Sequence, residues 1–481
     1  MRYPALSRII GSFLIVHSLG LLPPIFVSYH YVDGQILDFF YPLVISLTFG
    51  LALWFPFRKD KSELRRHEGF LIVAAYWFIL STVSALPFII GPHLNFVDSF
   101  FEAVSAFTTT GSTIITNLNI LPPSILFYRQ ELQWLGGMGI IVLAVAILPY
   151  LRMGGMQLYR AETPGPLKDE KFTPRIAHTA SIFWVVYLLL TVLCAISYYI
   201  AGMSLFDSVS HSMSTVSTGG FSTYNESISY FNSFSIELIT VFFMYLGALN
   251  FSVHYIALHK KNLKFYFSNP EIVVFTLIIF ISICIISLRL YSSNSYDTYL
   301  ESFRHTLFIS VSVITSTGYT TENFSLWPAF VVTFLFFLSF IGGCSGSTAG
   351  GMKVIRIMLL IKQGYREVLR LIHPAIVMPL KIKGHIYDDS VLNGVWGFFA
   401  LYVAVFSLAI LTLMLGGLDQ ITAFSAVATS LNNLGPGLGD LSLNFQSLND
   451  WHKILLSICM LLGRLELYTI LIIITPNFWR R

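Results

Sequence analysis

The sequence is poor in charge, because only 11% of its 481 residues are Asp, Glu, Lys or Arg, whereas a soluble domain carries about 25%. Hydrophobic residues make up 55% of the chain, and its mean hydropathy is +0.71. This shortage of charge excludes a soluble enzyme, a nucleic-acid-binding protein and a disordered scaffold. We therefore expect a polytopic protein that contacts membrane lipid along most of its length.

The sequence also has few cysteines and no recognisable metal or catalytic motif. Its four cysteines are far apart, and they form no CxxC pair and no Cys/His spacing that would indicate zinc, haem or a disulfide framework. The apolar runs contain no HExxH motif, no GxSxG motif and no paired aspartates. We expect neither a cofactor in this chain nor an enzyme activity.

Apolar runs long enough to cross a bilayer recur along the chain, since a spanning helix needs about 20 mainly apolar residues. Most of the 29 Lys and Arg residues cluster after every second run. The positive-inside rule therefore places these basic loops and both termini in the cytoplasm. The runs predict ten spans, at 9–32, 39–57, 69–97, 132–151, 176–206, 238–259, 272–288, 323–352, 390–418 and 454–475.

Four segments on the opposite side are too short to span and too apolar to lie in water: 98–124, 207–235, 296–326 and 419–449. Re-entrant segments, which dip into the membrane and return, fit both properties. Non-helical backbone is tolerated at membrane depth only where protein buries it or where it lines a wet cavity. The four segments are therefore expected to meet.

An internal repeat relates the four segments, each of which has about a dozen residues of helical character before a glycine. Alignment by eye puts this glycine at Gly111, Gly219, Gly318 and Gly435. The fourth copy is degenerate, because Asn-Leu replaces the pair of hydroxyl residues. The candidate ion-binding residues are Thr109, Thr110, Gly111, Ser112, Ser217, Thr218, Gly219, Gly220, Ser316, Thr317, Gly318, Tyr319, Asn433, Leu434, Gly435 and Pro436.

The chemistry of such a repeat is that of a cation filter. Glycine and small residues let successive carbonyl oxygens face one axis, and rings of carbonyls can replace the hydration shell of a monovalent cation. The preceding half-helices would point their partly negative C-terminal ends at the same axis. Asp98 and Asp207, near two half-helix starts, either cap those helices or concentrate cations at the mouth.

The predicted fold class is an all-α polytopic membrane protein. Four tandem repeats of span, pore helix and span surround one pore, and two extra transmembrane helices precede them. The predicted units are an N-terminal two-helix extension at 1–66 and pore repeats at 67–175, 176–268, 269–384 and 385–481, the third with a broken second helix.

Four further stretches, together with the four segments, carry a family resemblance over nearly the whole chain. They are Trp134-Leu-Gly-Gly-Met-Gly-Ile140, Gly342-Gly-Cys-Ser-Gly-Ser-Thr-Ala-Gly-Gly-Met-Lys353, Asn432-Asn-Leu-Gly-Pro-Gly-Leu-Gly439 and Leu462-Gly-Arg-Leu-Glu-Leu467. The pattern resembles the Trk/Ktr/HKT superfamily of potassium-translocating subunits. The two leading spans favour its TrkH type.

This resemblance implies a function and partners. Each repeat would correspond to one potassium-channel subunit, two chains would form a homodimer, and the filter residues would bind K⁺ for uptake across the inner membrane. Gly111 supports K⁺, because serine at that position accompanies sodium preference in the family. A cytosolic nucleotide-binding ring of the TrkA type would regulate the pore as a separate protein.

A cluster of glycines interrupts the run at 323–352. Glycine in a helix interior costs about 1 kcal/mol relative to alanine, so this span should break, with helical halves from about Trp327 and Met352. The clustering favours a flexible gate below the filter over small residues for helix packing, and the family resemblance agrees. The gate residues are Gly342, Gly343, Cys344, Ser345, Gly346, Ser347, Thr348, Gly350 and Gly351.

Arg464 lies within the last predicted span, with Glu466 two positions away. An arginine in mid-membrane costs roughly 2.5–3.5 kcal/mol, so it needs a partner or a wet cavity. Residues two apart on a helix point about 200° apart, so the two side chains are poor partners. The alternatives are a pore charge beneath the filter, which the family motif favours, and an ion pair between helices.

The runner-up function is a K⁺ symporter coupled to H⁺ or Na⁺, with a site at broken helices. Such transporters commonly have inverted repeats and acidic residues within their spans. Here the four segments all leave from the same side, and the spans hold almost no Asp or Glu apart from Glu466. The sequence therefore favours a gated pore.

Overall fold

The computed structural model describes residues 3–60, 66–146, 173–376, 378–383 and 385–480. The regular secondary structure of the described residues is almost entirely helical. Its one sheet is an antiparallel pair, β1 (Leu380–Ile382) and β2 (His385–Tyr387), in which Lys381 is the partner of Ile386. The C-terminal end of the predicted span 132–151 lies outside the described residues.

Three helices precede the first repeat: α1 (Tyr3–Leu19), α2 (Leu22–Tyr31) and α3 (Ile36–Trp54). Helices α1 and α3 pack at Gly11 and Gly50, where a Cβ on Gly11 would lie 2.7 Å from the carbonyl oxygen of Gly50. Small residues at a crossing let two membrane helices approach closely. This pair forms the N-terminal extension.

Four units of the same design follow, each with a first span, a short half-helix and a second span. Together with the extension they form an all-α polytopic membrane fold, while the unit boundaries themselves stay a prediction. Unit one contains α4 (Arg66–Ser84), α5 (Leu86–Ile90), α6 (Phe96–Phe107) and α7 (Pro123–Ala146). Unit two contains α8 (Thr173–Ile200), α9 (Leu205–Val216), α10 (Phe234–Gly247), α11 (Phe251–His259) and α12 (Lys264–Ser268).

Units three and four repeat this order. Unit three contains α13 (Pro270–Ser292), α14 (Tyr299–Ile314), α15 (Ala329–Ile341) and α16 (Val354–Ile372). Unit four contains α17 (Asp389–Leu415), α18 (Gln420–Asn432), α19 (Asp450–Arg464), α20 (Tyr468–Ile474) and α21 (Pro476–Trp479).

The four half-helices α6, α9, α14 and α18 begin in the same way. A side-chain oxygen of the N-cap residue accepts a hydrogen bond from a backbone N–H of the first turn, which satisfies a donor that the helix leaves free. At Asp419 the bonds from Thr422 also hold the pKa of the carboxyl below its ordinary value. The N-caps are Asn95, Ser204, Thr298 and Asp419.

Among the described residues, six helices are long and apolar enough to cross a membrane, and two bent helix pairs bring the number to eight. The predicted spans 238–259 and 454–475 are these bent pairs, with angles of 98° between α10 and α11 and 115° between α19 and α20. The sequence predicted one span in each place, and the structure shows a helix pair with a sharp break inside it. Asn250 causes the first break by capping α11, whereas Glu466 and Leu467 have positive φ at the second.

The break predicted within 323–352 is present. Helix α15 begins at Ala329 rather than Trp327, and α16 begins at Val354 rather than Met352. Between them, Gly342, Gly346 and Gly351 have φ of +69°, +69° and +75°. Only glycine adopts such angles without steric cost, so the clustered glycines explain why the helix ends here.

Candidate functional site

Each half-helix ends in the same left-handed turn. One residue has a φ between +50° and +56°, and the N–H of the next residue donates to the carbonyl five positions back, at 2.8 Å in all four copies. This arrangement is the Schellman closure of a helix C-terminus. The left-handed residues are Thr109, Thr218, Ser316 and Asn433.

A glycine with positive φ lies two residues after each left-handed residue. In the second unit that glycine is Gly220, with φ of +81°, and not Gly219, whose φ is not positive. The aligned position predicted for the second copy was therefore wrong by one residue, because two adjacent glycines fit the pattern equally well. The structural equivalents are Gly111, Gly220, Gly318 and Gly435.

These glycines link the four segments 109–112, 217–220, 316–319 and 433–436, here called the ring segments. A Cβ on each glycine would collide with a carbonyl oxygen of the next ring segment, and the fourth segment faces the first. The ring therefore closes within one chain. The distances are 2.3 Å from Gly111 to Gly219, 1.8 Å from Gly220 to Thr317, 2.1 Å from Gly318 to Leu434 and 2.9 Å from Gly435 to Thr110.

The fourth ring segment is joined to the first by side chains as well. The amide of Asn433 donates to the Thr110 hydroxyl at 2.9 Å, and the Ser112 hydroxyl donates to the carbonyl of Gly435 at 2.8 Å. The departure of the fourth copy from the common pattern thus has a structural reason. Asparagine tolerates the left-handed conformation better than most residues, and here its amide also bridges to the neighbouring segment.

The other predicted residues lie in or against the ring. Tyr319 is almost fully buried, and its hydroxyl donates to the carbonyl of Phe221 in the second unit at 3.2 Å. Pro436 lies beside Gly318, and Ser217 donates back to the carbonyl of Ser214 at 3.1 Å. On one side all four ring segments line a cavity of about 290 Å³.

The glycine-rich segment 342–351, here called the intramembrane loop, packs against the break in the second unit. The N–H of Cys344 donates to the carbonyl of Ala248 at 2.9 Å, and the N–H of Phe251 donates to the carbonyl of Gly346 at 3.1 Å. Thr348 donates its hydroxyl to the carbonyl of Gly247 at 3.0 Å. The break between α10 and α11 therefore supplies the backbone groups that hold the loop.

The intramembrane loop also reaches the ring. The hydroxyls of Thr218 and Thr348 are 3.2 Å apart, and a Cβ on Gly350 would lie 2.0 Å from the carbonyl oxygen of Asn432. The loop thus contacts the ends of the second and fourth half-helices at once.

Arg464 connects the same loop to the first ring segment. It ends α19, and its guanidinium donates to the carbonyls of Thr108 and Thr109, the latter at 3.2 Å, and to the Thr109 hydroxyl. It also donates to the carbonyl of Thr348 at 2.8 Å. Its partners are therefore neutral oxygens, and those of Thr108 and Thr109 lie at the end of a half-helix, where partial negative charge collects.

The TrkH family profile, described as cation transport protein, matches residues 36–481. The chain belongs to the TrkH family.

Relatives and a solved structure match the chain over its full length. The Trk system potassium uptake protein TrkH of Vibrio parahaemolyticus is 49% identical over 484 residues, and the protein of the same name in Escherichia coli K12 is 47% identical over 482; each alignment covers 100% of both sequences. The crystal structure of the potassium transporter TrkH from Vibrio parahaemolyticus has a TM-score of 0.93 at 46% identity and covers 100% of both chains.

Several charged residues lie behind the ring in this TrkH-family chain, and the sequence analysis did not single them out. Glu102 of α6 and Arg129 of α7 form an ion pair of 2.8 Å with both side chains almost fully buried. Glu102 also accepts from the N–H of Ile114, and Arg129 donates to the carbonyl of Ser222. The pair therefore ties the residues just after the first ring segment to those just after the second.

Another set of charges lies below the intramembrane loop. Glu466 pairs with Arg356 of α16 at 2.6 Å rather than with Arg464. Glu271 of α13 accepts from the N–H of Ser345 at 2.7 Å, and Lys353 donates to the carbonyl of Ala349. The break after Arg464 separates it from Glu466, which explains why each finds its own partners.

The two aspartates near half-helix starts are both engaged. Asp98 accepts from the ammonium of Lys453 at 2.6 Å, and Asp207 accepts from the hydroxyls of Ser204 at 2.7 Å and Thr223 at 2.9 Å. These contacts favour a structural role for the carboxylates over a free acidic mouth.

The buried ion pair should contribute strongly to stability. We expect Glu102→Gln to lower the free energy of unfolding by about 3 kcal/mol, because it leaves the Arg129 charge buried without a counter-charge. Thermal and denaturant unfolding of the detergent-purified protein measures this. The same substitution at Glu367, half exposed in its pair with Arg370, is the control and should cost less than about 1 kcal/mol. Equal losses in the two variants would contradict the structural role of the Glu102 pair.

Proposed function

We propose that this chain forms a K⁺-selective pore that takes up potassium across the inner membrane. The observation that carries the proposal is the closed ring of four segments from one chain. The left-handed glycine of each segment lies against a backbone carbonyl of the next segment. Residues 109–112, 217–220, 316–319 and 433–436 would be the filter. The relatives over the full chain are named for potassium uptake, which supports K⁺ as the ion.

Physical chemistry supports a cation at the ring. A segment in which alternate residues have positive φ can turn successive carbonyls to one side, and rings of carbonyl oxygens can replace the hydration shell of a monovalent cation. Four half-helices end at these segments, so the partial negative charge of each C-terminus lies close to the ring. No formal negative charge is needed in the filter itself.

The intramembrane loop is the proposed gate. It crosses from α15 to α16 and contacts the ring segments on the side where Arg464 lies. Arg464 would hold the loop closed, because its guanidinium binds both Thr109 of the first ring segment and Thr348 of the loop. It would also place positive charge beneath the filter, where it opposes occupation by K⁺.

We further propose an orientation and partners. The basic loops and both termini face the cytoplasm, because the Lys and Arg clusters follow every second span. Two chains form a homodimer, and a cytosolic nucleotide-binding ring of the TrkA type acts on the cytoplasmic face to open the gate.

A K⁺ symporter coupled to H⁺ or Na⁺ remains the second candidate. One observation favours it: Glu131 is buried in α7, and one of its carboxylate oxygens has no hydrogen-bond partner among the described residues. A buried carboxyl of this kind could exchange a proton. The experiment that tests the function must therefore separate passive from coupled transport.

The decisive experiment is ⁸⁶Rb⁺ uptake into proteoliposomes that hold the purified protein alone, without a proton or sodium gradient. We expect uptake that added K⁺ blocks and added Na⁺ does not. Uptake that begins only when a proton or sodium gradient is imposed would contradict the pore and favour the symporter. Glu131→Gln should then abolish the proton-driven flux.

Substitution of a ring glycine should weaken selectivity. In Gly111→Ser the new Cβ would meet the Gly219 carbonyl at 2.3 Å and strain a φ of +84°. We expect the preference for K⁺ over Na⁺ to fall by about tenfold or more, the equivalent of about 1.4 kcal/mol. Competition in the ⁸⁶Rb⁺ assay measures it. Gly202→Ser is the control, because Gly202 also has positive φ but open space around it; an unchanged ratio in Gly111→Ser would contradict this register of the filter.

Shortening the intramembrane loop should raise flux. Deletion of 345–347 removes Ser345, whose N–H donates to Glu271, and Gly346, whose carbonyl accepts from the N–H of Phe251, and it leaves the ring segments intact. We expect faster ⁸⁶Rb⁺ uptake with no nucleotide-binding partner present. Deletion of 293–295, in the connection between α13 and α14, is a control of equal length. Flux that falls or stays the same in the 345–347 deletion, while ion binding is retained, would show that this loop does not close the pathway.

A further inference from the structure

Gln133 of α7 has a set of contacts with the second ring segment. Its side chain is fully buried, and its Nε2 donates to the carbonyl of Gly219 at 2.7 Å. Its Oε1 accepts from the Ser214 hydroxyl at 2.6 Å and from the N–H of Phe221 at 3.1 Å. One side-chain amide from the first unit thus bonds to residues of the second unit before, within and after the left-handed turn.

The second ring segment differs from the first and third at the position before the left-handed glycine. Thr110 and Thr317 occupy that position in units one and three, and their hydroxyls bond to Thr108 at 2.7 Å and Thr315 at 2.8 Å. These bonds tie each segment to the end of its own half-helix. Unit two has Gly219 at this position and so has no side chain of its own with which to make such a bond.

The Gln133 amide occupies the space that a side chain at position 219 would need. A Cβ on Gly219 would lie 2.4 Å from Cδ of Gln133, and its three nearest atoms all belong to that side chain. Gly219 does not have positive φ, so the backbone conformation does not demand glycine there. The proximity of Gln133 therefore explains why this segment alone carries two adjacent glycines.

We propose that Gln133 is a positioning residue of the filter, which supplies from α7 the polar side chain that the second ring segment lacks and fixes the orientation of the Gly219 carbonyl. The inference rests on the proposed function, because its consequence is the discrimination between K⁺ and Na⁺. A carbonyl that accepts an amide hydrogen bond cannot turn freely toward a smaller ion. Loss of the amide lets the ring adapt to Na⁺.

A matched pair of variants tests the role of the amide. Gln133→Leu removes all three hydrogen bonds at nearly the same volume, and Gln130→Leu makes the same change one turn away. Gln130 is also fully buried, but neither of its amide atoms has a hydrogen-bond partner in the part of the chain that the structure describes. In the ⁸⁶Rb⁺ competition assay we expect Gln133→Leu to lower the preference for K⁺ over Na⁺ by about tenfold and Gln130→Leu to leave it unchanged.

A rescue experiment separates positioning from general stability. Gly219→Thr alone should impair the filter, because its side chain collides with Gln133. Combined with Gln133→Ala, the threonine has space and restores the hydroxyl that units one and three carry. We expect the double variant to return to within about threefold of the original preference for K⁺, since neighbouring sites that share one contact are not additive. A double variant that is as poor as the worse single variant would overturn the proposal.

A second readout does not depend on flux. K⁺ that binds the folded protein raises its melting temperature, so the shift caused by K⁺ in detergent reports on filter occupancy. We expect Gln133→Leu to reduce this K⁺-dependent shift and Gln130→Leu to retain it. A full shift with Gln133→Leu would overturn the inference. If the unmodified protein shows no preference for K⁺ over Na⁺ but keeps its K⁺-dependent thermal shift, the result counts against the proposed function only. If it shows neither the preference nor the thermal shift, both the proposed function and the role of Gln133 are overturned.

Discussion

The close approach of a glycine to the carbonyl of the next ring segment is the contact on which the rest of the site depends. A side chain at any of Gly111, Gly220, Gly318 or Gly435 would collide with backbone, which cannot move as a flexible side chain can. The approach is possible only because each half-helix ends in a left-handed turn that brings the glycine to the same place. The buried N-capped half-helices, in turn, fix where those turns occur.

The four ring segments share one backbone conformation, but the side chains that hold each of them in place differ. The buried Glu102–Arg129 pair joins the residues that follow the first and second ring segments, and Gln133 holds the second segment directly. The fourth is joined to the first by Asn433 and Ser112. Because the supports differ, the environment of each carbonyl differs as well, although the turn that presents it is the same.

The sequence predicted the parts of the fold that depend on local chemistry. Hydropathy and basic clusters marked the helices, the repeated glycine marked the ring segments, and clustered glycines marked the break after Ile341. It could not choose between Gly219 and Gly220, since both fit a local pattern and only the dihedral angle distinguishes them. The breaks beside Asn250 and Glu466 were missed because the surrounding residues remain apolar on both sides.

Contacts between units were beyond the reach of the sequence. Gln133 and Gly219, or Arg464 and Thr348, are far apart along the chain, and no local pattern relates them. A charge within an apolar run showed that Arg464 needs partners, yet most of those partners are backbone carbonyls, which every residue has. Only the fold identifies which carbonyls they are.

A ring made by one chain has a consequence for how it can vary. In an assembly of four identical subunits, every codon change appears four times around the axis, so a small alteration is multiplied. Here each quarter of the ring has its own codons, and a substitution such as the Asn433 of the fourth segment is made once. A substitution in this chain therefore alters one quarter of the ring and leaves the other three unchanged.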